Sequence, residues 1–264
     1  MRIDIYFIRH GLSCANLVKK FSRIPFKHTT YSDPELSTAG QAMTILNGRS
    51  LRTYFRNNQI HIDLVGSSAL VRAIETAYYL FNSDRGRSMD SAKTIYALPF
   101  IAEVGMTLDN IASSVKDQLA VLRHDEIADA DTLPVCPIGK KCVLDFSQVL
   151  GDGRSSSNYS KFLKWLTEHL DGIIQSVNMA RKDTLTMALV THSHFLQKEL
   201  KAKGPVRNNE VYHVSLEMSR LESGSWTITS KSEPEQVNYG IRDDYPSKKQ
   251  DYCPDRCRKY NVCG

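Results

Sequence analysis

The chain has 264 residues and a formal net charge of +5, with 41% hydrophobic and 24% charged residues. This composition is typical of a globular protein and excludes wholesale disorder, and the length suits one α/β domain or two small ones. A run of about 18 apolar residues, which a transmembrane span requires, is absent. Charges within the first residues argue against a secretory signal peptide. We therefore expect a soluble, cytoplasmic protein without a membrane partner.

The positive charge is mild and scattered along the chain, with 34 Lys and Arg residues against 29 acidic ones. A nucleic-acid-binding surface would cluster its cations on one face and interleave them with aromatic residues, so we expect no nucleic-acid partner. A mild positive balance instead suits an anionic substrate, which the field of the protein attracts. A phosphorylated small molecule or a phosphoprotein would be such a substrate.

Predicted strands and helices alternate along most of the chain. The apolar patterns predict strands at 3–8, 62–66, 94–98 and 185–191, and helices at 36–55, 69–81, 115–123, 159–180 and 193–201. Ser37 or Thr38 can cap the first of these helices. Residues 211–221 and 226–230 are expected to pair as a hairpin around Gly224. The alternation predicts a three-layer α/β/α sandwich with a mostly parallel central sheet.

Side chains suited to anion chemistry follow the ends of the predicted strands. Arg9 and His10 follow the first strand, Arg72 lies in the first turn of the helix after the second, and His192 follows the last. Glu103 comes shortly after the third strand. Each alone is also explained as a surface, capping or packing residue. Ligands of parallel sheets bind beyond the carboxyl ends of the strands, so their common location favours a shared site.

Two imidazoles, two guanidiniums and a carboxylate favour phosphoryl transfer through a histidine. One imidazole attacks phosphorus and forms a phosphohistidine, while the other cationic groups stabilise charge on the phosphoryl oxygens. A carboxylic acid protonates the leaving oxygen and then, as a carboxylate, activates water. A zinc site built from both histidines and the glutamate is the alternative, but flanking arginines would repel a cation. We therefore expect no metal and no cofactor at this site.

Four segments occur in the same order as the motifs of a known family. They are FIRHG at 7–11, DPELSTAGQA at 33–42, SSALVRAIETA at 67–77 and VTHSH at 190–194. They resemble, in turn, the nucleophile motif, the L-[ST]-x-x-G segment, the second-arginine motif and the second-histidine motif of the histidine phosphatase superfamily, the phosphoglycerate-mutase-like proteins. The resemblance implies the fold of that superfamily, and it spans positions from about 5 to 200.

The resemblance also implies a role for each matched residue. His10 would be the nucleophile, and Arg9, Arg72 and His192 would form the phosphate pocket. Asn16, five residues after the glycine of the nucleophile motif, would be a further phosphate ligand.

Further residues complete the site that the resemblance implies. Glu103 would be the acid/base group, and Asp109 is a second carboxylate nearby in the sequence. Ser193 would contribute its backbone N–H, although glycine is commoner at that position in the family. Ser22 or Arg23 would reach the substrate from the loop after Asn16.

Two departures from the mutase subgroup favour a phosphatase. The mutase turn resembles R-H-G-E/Q-S-x-W-N, whereas Leu12 and Ala15 replace its acidic or amide residue and its tryptophan. The mutase context E-R-x-Y-G is replaced by EVGM at Glu103. We therefore expect a phosphoric monoester hydrolase with a phosphohistidine intermediate. The alternatives are a phosphoglycerate-type phosphomutase and a non-catalytic phosphate-binding or interaction protein of the same fold.

Composition divides the chain into two parts. Residues 1–233 are expected to form the catalytic domain, with 107–158 as a variable insertion that shapes the substrate pocket. Residues 234–264 are polar and are expected to form a tail that lies outside the core except for its cysteines.

The cysteines permit several arrangements. Cys253, Cys257 and Cys263 lie in the tail, and Cys136 and Cys142 lie in the insertion. A structural zinc or a disulfide could tie the tail to the insertion, and reduced thiols on a poorly ordered tail are the alternative. Cys14 is expected to be a small buried apolar residue near the site.

Overall fold

A computed structural model describes residues 1–83, 92–105, 107–129, 131–137, 142–152, 156–177, 183–243 and 257. Its strands are β1 (Arg2–Arg9), β2 (Leu64–Ser68), β3 (Ile95–Leu98), β4 (Leu144–Asp145), β5 (Thr184–Thr191), β6 (Val211–Arg220), β7 (Trp226–Lys231) and β8 (Glu235–Gln236). Its α-helices are α1 (Cys14–Phe21), α2 (Thr38–Asn57), α3 (Val71–Phe81), α4 (Val115–His124), α5 (Ser147–Asp152) and α6 (Tyr159–Ser176). Within these ranges, every helix is too short or too polar to cross a bilayer.

One mixed sheet lies at the centre of the fold, with strands in the order β4-β3-β2-β5-β1-β6-β7 and with β8 paired to β6. The first five strands in this order are parallel, and β6 to β8 form the antiparallel end. The sheet is therefore mostly parallel, as predicted. The hairpin at Gly224 is confirmed as the β6–β7 pair.

Helices cover both faces of this sheet, because side chains of β1 alternate between two apolar clusters. Ile5 and Phe7 pack with α6 on one face, whereas Tyr6 and Ile8 pack with α2 and α3 on the other. This arrangement confirms the three-layer α/β/α class.

The N-terminus of α2 holds the turn that follows β1. Ser37 is the N-cap, and its Oγ accepts a hydrogen bond from the Gly40 N–H at 3.0 Å. The same hydroxyl donates to the Leu12 carbonyl oxygen at 3.0 Å. A Cβ at position 40 would overlap that carbonyl oxygen, so this close approach requires glycine. Helix α2 and the turn after β1 are thereby joined at the edge of the sheet where the parallel strands end.

Some elements differ from the sequence-based expectations. The helix expected at 193–201 is a single π-helical segment, Phe195–Glu199. The two-residue strands β4 and β8 and the helix α5 were not predicted, because such short elements carry little periodicity. Part of the predicted helix at 159–180 lies outside the described residues, and α6 ends at Ser176.

The start of the predicted tail packs on the core, so its placement outside the core is wrong for residues up to 243. Val237 and Tyr239 are buried, and the Tyr239 hydroxyl donates to the Asn209 carbonyl oxygen at 2.6 Å. The Arg242 N–H donates to the Asn47 side chain at 2.8 Å. The division of the chain at residue 233 stays a prediction.

Two disulfides correct the expectations for the cysteines. Cys14 is bonded to Cys257, so it is more than a packing residue, and the tail is tied to α1 rather than to the insertion. Cys136 is bonded to Cys142 within the insertion. Cys257 is therefore not a zinc ligand, and Cys253 and Cys263 lie outside the described residues. In the part of the chain that the structure describes, His, Cys, Asp and Glu side chains form no cluster that could hold a metal.

Candidate active site

Parallel pairing brings the ends of β1, β5 and β2 together. Arg9 at the end of β1 lies opposite Thr191 at the end of β5, and the His10 N–H donates to the Thr191 carbonyl oxygen at 2.9 Å. The next residues, His10 and His192, have ring centroids 5.0 Å apart. Strand β2 lies on the other side of β5 and ends at Ser68. The two predicted histidines therefore share one buried centre.

His10 is held in a single tautomer by the turn that follows it. Its ring Nδ1 lies 2.7 Å from the Gly11 carbonyl oxygen. A carbonyl oxygen only accepts hydrogen bonds, so Nδ1 carries the proton and Nε2 keeps its lone pair. Asn208 donates to the His10 carbonyl oxygen at 2.9 Å, and the Gly11 N–H donates to Thr76 Oγ1 at 3.0 Å. These contacts fix the backbone that carries the imidazole.

His192 is fully buried and contacts a residue to which the sequence assigned no role. Its Nε2 lies 2.9 Å from the Ser68 hydroxyl. Its Nδ1 is buried and makes no hydrogen bond to any described residue. Ser68 ends β2, so its position at a strand end was the signal that could have identified it.

Both imidazoles are in environments that disfavour their protonation. Burial lowers the pKa of His10 well below 6.5, and the nearby charges of Arg72 and Arg9 lower it further. Burial and the charge of Arg72 also lower the pKa of His192 well below 6.5. Both rings are therefore neutral at pH 7, which is the state a nucleophilic imidazole requires.

These lowered pKa values make the stability of the fold pH-dependent. Below pH 6.5 the unfolded chain protonates both histidines whereas the native state does not, so the free energy of unfolding falls as the pH falls. Each group contributes about 1.4 kcal/mol per pH unit. We expect the free energy of unfolding, measured by urea denaturation between pH 6.5 and pH 5, to show this dependence on pH. We expect His10→Gln to remove about half of the dependence that the two histidines cause. An unchanged slope in His10→Gln would contradict the burial of a neutral imidazole.

Arg72 lies in the first turn of α3, as predicted, and only 3% of it is exposed. Its Nη1 donates to the Asp109 carbonyl oxygen at 2.5 Å and its Nη2 to Asn110 Oδ1 at 3.2 Å. Burial lowers the pKa of Arg72, but a guanidinium stays charged in proteins. Two acceptors from the insertion thus orient a buried cation beside both histidines.

Asp33 positions the helix that carries Arg72, which the sequence did not indicate. The buried Asp33 carboxylate accepts a hydrogen bond from the Val71 N–H at the start of α3 at 2.9 Å. It also accepts from the Ser113 N–H at 3.0 Å and from the Gln118 side chain at 2.8 Å. One carboxylate therefore satisfies a free N–H at the helix terminus and joins the insertion to α3.

Arg9 completes the cationic part of the site. Its Nη1 donates to the Val206 carbonyl oxygen at 2.6 Å. Its charge, like that of Arg72, lowers the pKa of both His10 and His192.

Glu103 lies in the loop after β3 and meets the site from that side. Its Oε1 accepts a hydrogen bond from the Val104 N–H at 2.9 Å and lies 3.4 Å from His194 Nδ1. Its charge also acts on Arg72. The other carboxylate, Asp109, is buried, and its Oδ1 makes no hydrogen bond to any described residue. Both carboxylates thus border Arg72, and the acid/base assignment of Glu103 stays a prediction.

The remaining predicted ligands occupy other positions. The Asn16 side chain accepts a hydrogen bond from the Ser13 N–H at 3.2 Å and so completes the cap of α1. Ser193 is half-buried between His192 and His194.

Ser22 and Arg23 lie beyond the far end of α1, an eight-residue helix that spans about 12 Å. Ser22 bonds to the backbone of Ile24 instead, and Arg23 is exposed. The hydrogen bonds of Ser22 thus stay within its own loop.

Comparison with known proteins finds likeness in structure alone. No family model matches the chain, and no curated protein matches it. A phosphoserine phosphatase from Entamoeba histolytica, solved with 3-phosphoglyceric acid, matches at 14% identity and a TM-score of 0.37, covering 87% of this chain and 96% of that one. An ecdysone phosphate phosphatase from Bombix mori, solved with tungstate, matches at 14% identity and a TM-score of 0.44, covering 89% and 95%. A phosphoglycerate mutase from Thermus thermophilus matches at 17% identity and a TM-score of 0.34, covering 80% and 91%.

Proposed function

We propose that this chain is a metal-independent phosphatase of the histidine phosphatase superfamily that hydrolyses a phosphate monoester through a phosphohistidine. The observation that carries the proposal is the contact of His10 Nδ1 with the Gly11 carbonyl oxygen, which leaves a lone pair on Nε2. The neutral ring is buried beside His192, and the positive charges of Arg72 and Arg9 act on it. A neutral imidazole among fixed cations suits attack on an anionic phosphorus centre.

In the first step, Nε2 of His10 attacks phosphorus. The nitrogen–phosphorus bond forms as the bond from phosphorus to the ester oxygen breaks, and the oxygen leaves with the electron pair. Glu103, in its acid form, gives that oxygen its proton, so the leaving group departs as an alcohol. Arg9 and Arg72 stabilise the charge on the phosphoryl oxygens.

In the second step, water attacks the phosphohistidine. The bond to nitrogen breaks and its electron pair returns to His10, while Glu103 as a carboxylate takes the proton from the water. The products are inorganic phosphate, a neutral imidazole and a protonated Glu103. The enzyme is then ready for the next ester, and the cycle needs no cofactor.

A phosphorylated small molecule and a phosphoprotein both fit this reaction, and a cytoplasmic location stays a prediction. The two disulfides are more typical of oxidising compartments than of the cytoplasm.

The test is hydrolysis of p-nitrophenyl phosphate in the presence of a chelator. We expect the rate to be unaffected by excess EDTA, to be inhibited by vanadate, and to proceed through an acid-labile phosphoenzyme trapped with labelled substrate. Activity that EDTA abolishes and a divalent metal restores would contradict the mechanism. Migration of phosphate between the positions of a phosphoglycerate would favour a mutase instead.

A further inference from the structure

His194 and Glu103 form a pair beside the buried imidazoles. Nδ1 of His194 lies 3.4 Å from Oε1 of Glu103, an oxygen that also accepts the Val104 N–H. The Glu103 side chain is 9% exposed, whereas the His194 side chain is 50% exposed. The His194 imidazole therefore lies between solvent and the nearly buried Glu103 carboxylate.

The pair joins two segments that are separated in the sheet. Glu103 follows β3, and His194 follows β5, while β2 lies between these strands. His194 is also two residues after His192, so a change in its position acts on the same backbone segment that carries the buried imidazole. The side-chain contact consequently sets the location of the carboxylate relative to the reaction centre.

Charged groups from three segments face His194. Its hydrogen bond and ion pair with Glu103 raise its pKa above 6.5, although partial burial opposes the shift. The charges of Lys198, on its own helical segment, and of Lys19, on α1, also oppose it. The carboxylate prevails over both cations, so His194 holds its proton to a higher pH than an isolated histidine does.

We propose that His194 is a positioning residue that holds the Glu103 carboxyl group in place for the hydrolysis of the phosphohistidine. The proposal rests on the proposed function, because a carboxylate base is needed only if a phosphoenzyme reacts with water. A positively charged imidazole attracts a carboxylate and so restricts its position. His194 itself neither touches the phosphoryl group nor transfers a proton in this scheme; the proton of the water goes to Glu103.

The first experiment measures the pair without using activity. The pKa of His194 is followed by NMR titration in the wild type, in Glu103→Gln and in His124→Gln. The last variant is a matched control, because His124 Nδ1 also lies 3.4 Å from a carboxylate oxygen, that of Asp125, at the exposed end of α4. We expect Glu103→Gln to lower the pKa of His194 and His124→Gln to leave it unchanged. A His194 pKa that does not move in Glu103→Gln would overturn the proposal even if the enzyme is active.

The second experiment separates the two reaction steps. In His194→Gln, the burst of p-nitrophenol that reports phosphorylation of His10 should persist, while kcat falls about 10-fold, a part of what general base catalysis contributes. The steady-state fraction of phosphoenzyme should rise, and the loss of kcat that accompanies deprotonation of His194 in the wild type should disappear. His124→Gln should retain the wild-type values. A fall in kcat without accumulation of phosphoenzyme would overturn the proposal, whereas failure of the proposed function would instead appear as full activity in His10→Ala.

Discussion

Replacing His10 with alanine is expected to lower kcat/KM for p-nitrophenyl phosphate by about 10³-fold or more, because the variant has no group to accept the phosphoryl transfer. The remaining cations can still bind phosphate, so vanadate should retain measurable affinity for the variant. The phosphoenzyme should be absent. Initial rates and trapping of labelled phosphoenzyme measure both effects.

The loss must be separated from unfolding, because His10 is buried. Thermal denaturation and circular dichroism of His10→Ala identify any fraction that is not folded. His124→Ala is the control for removal of an imidazole, since the His124 side chain is 85% exposed and lies on α4. A folded His10→Ala that hydrolyses the ester at the wild-type rate would show that another residue is the nucleophile.

Replacing Cys257 with serine is expected to cause a large loss of stability. The disulfide joins residues separated by 243 positions. The chain-entropy model assigns a loop of that length about 5 kcal/mol, which is on the order of 10 °C or more in Tm for a protein of this size. Cys257 is also buried against Leu17 and Val18 of α1, so the serine hydroxyl would lie in an apolar cluster.

The second disulfide is an internal control for this effect. Cys136 and Cys142 are separated by six positions, for which the same model gives about 2 kcal/mol. We expect urea denaturation without reductant to rank Cys257→Ser below Cys142→Ser in stability. With excess dithiothreitol, Cys142→Ser and the wild type should converge, and Cys257→Ser should differ from them only by the cost of its buried hydroxyl. The opposite ranking would show that the bond between Cys14 and Cys257 does not constrain the unfolded chain.

Local sequence patterns were sufficient to predict where the main residues of the site lie. The positions of His10, Arg72 and His192 shortly after predicted strands followed from apolar runs and from the rule that parallel strands end at one edge. The structure places all three within one buried centre. The sheet class followed from the same alternation of strands and helices.

Contacts between distant segments were not predictable in this way. Asp33 and Val71 are 38 positions apart, and the hydrogen bond between them depends on how α3 docks beside the chain that precedes α2. The pairing of Cys14 with Cys257 likewise depends on where the tail returns, since spacing alone does not determine disulfide connectivity. The substrate contacts expected of Ser22 and Arg23 stay predictions, because both residues follow the end of α1 and depend on how the next loop folds.

The central location of β1 has a consequence for fluctuations of the site. Strand β1 is hydrogen-bonded on both sides, to β5 and to β6, along nearly its whole length. Strand β3 has four residues and is paired to β4 through two of them. Strands paired along their whole length on both sides exchange their amide hydrogens last, whereas segments with fewer flanking hydrogen bonds open locally. We therefore expect the amides of β1, the strand that precedes His10, to exchange more slowly than those of β3, the strand that precedes Glu103.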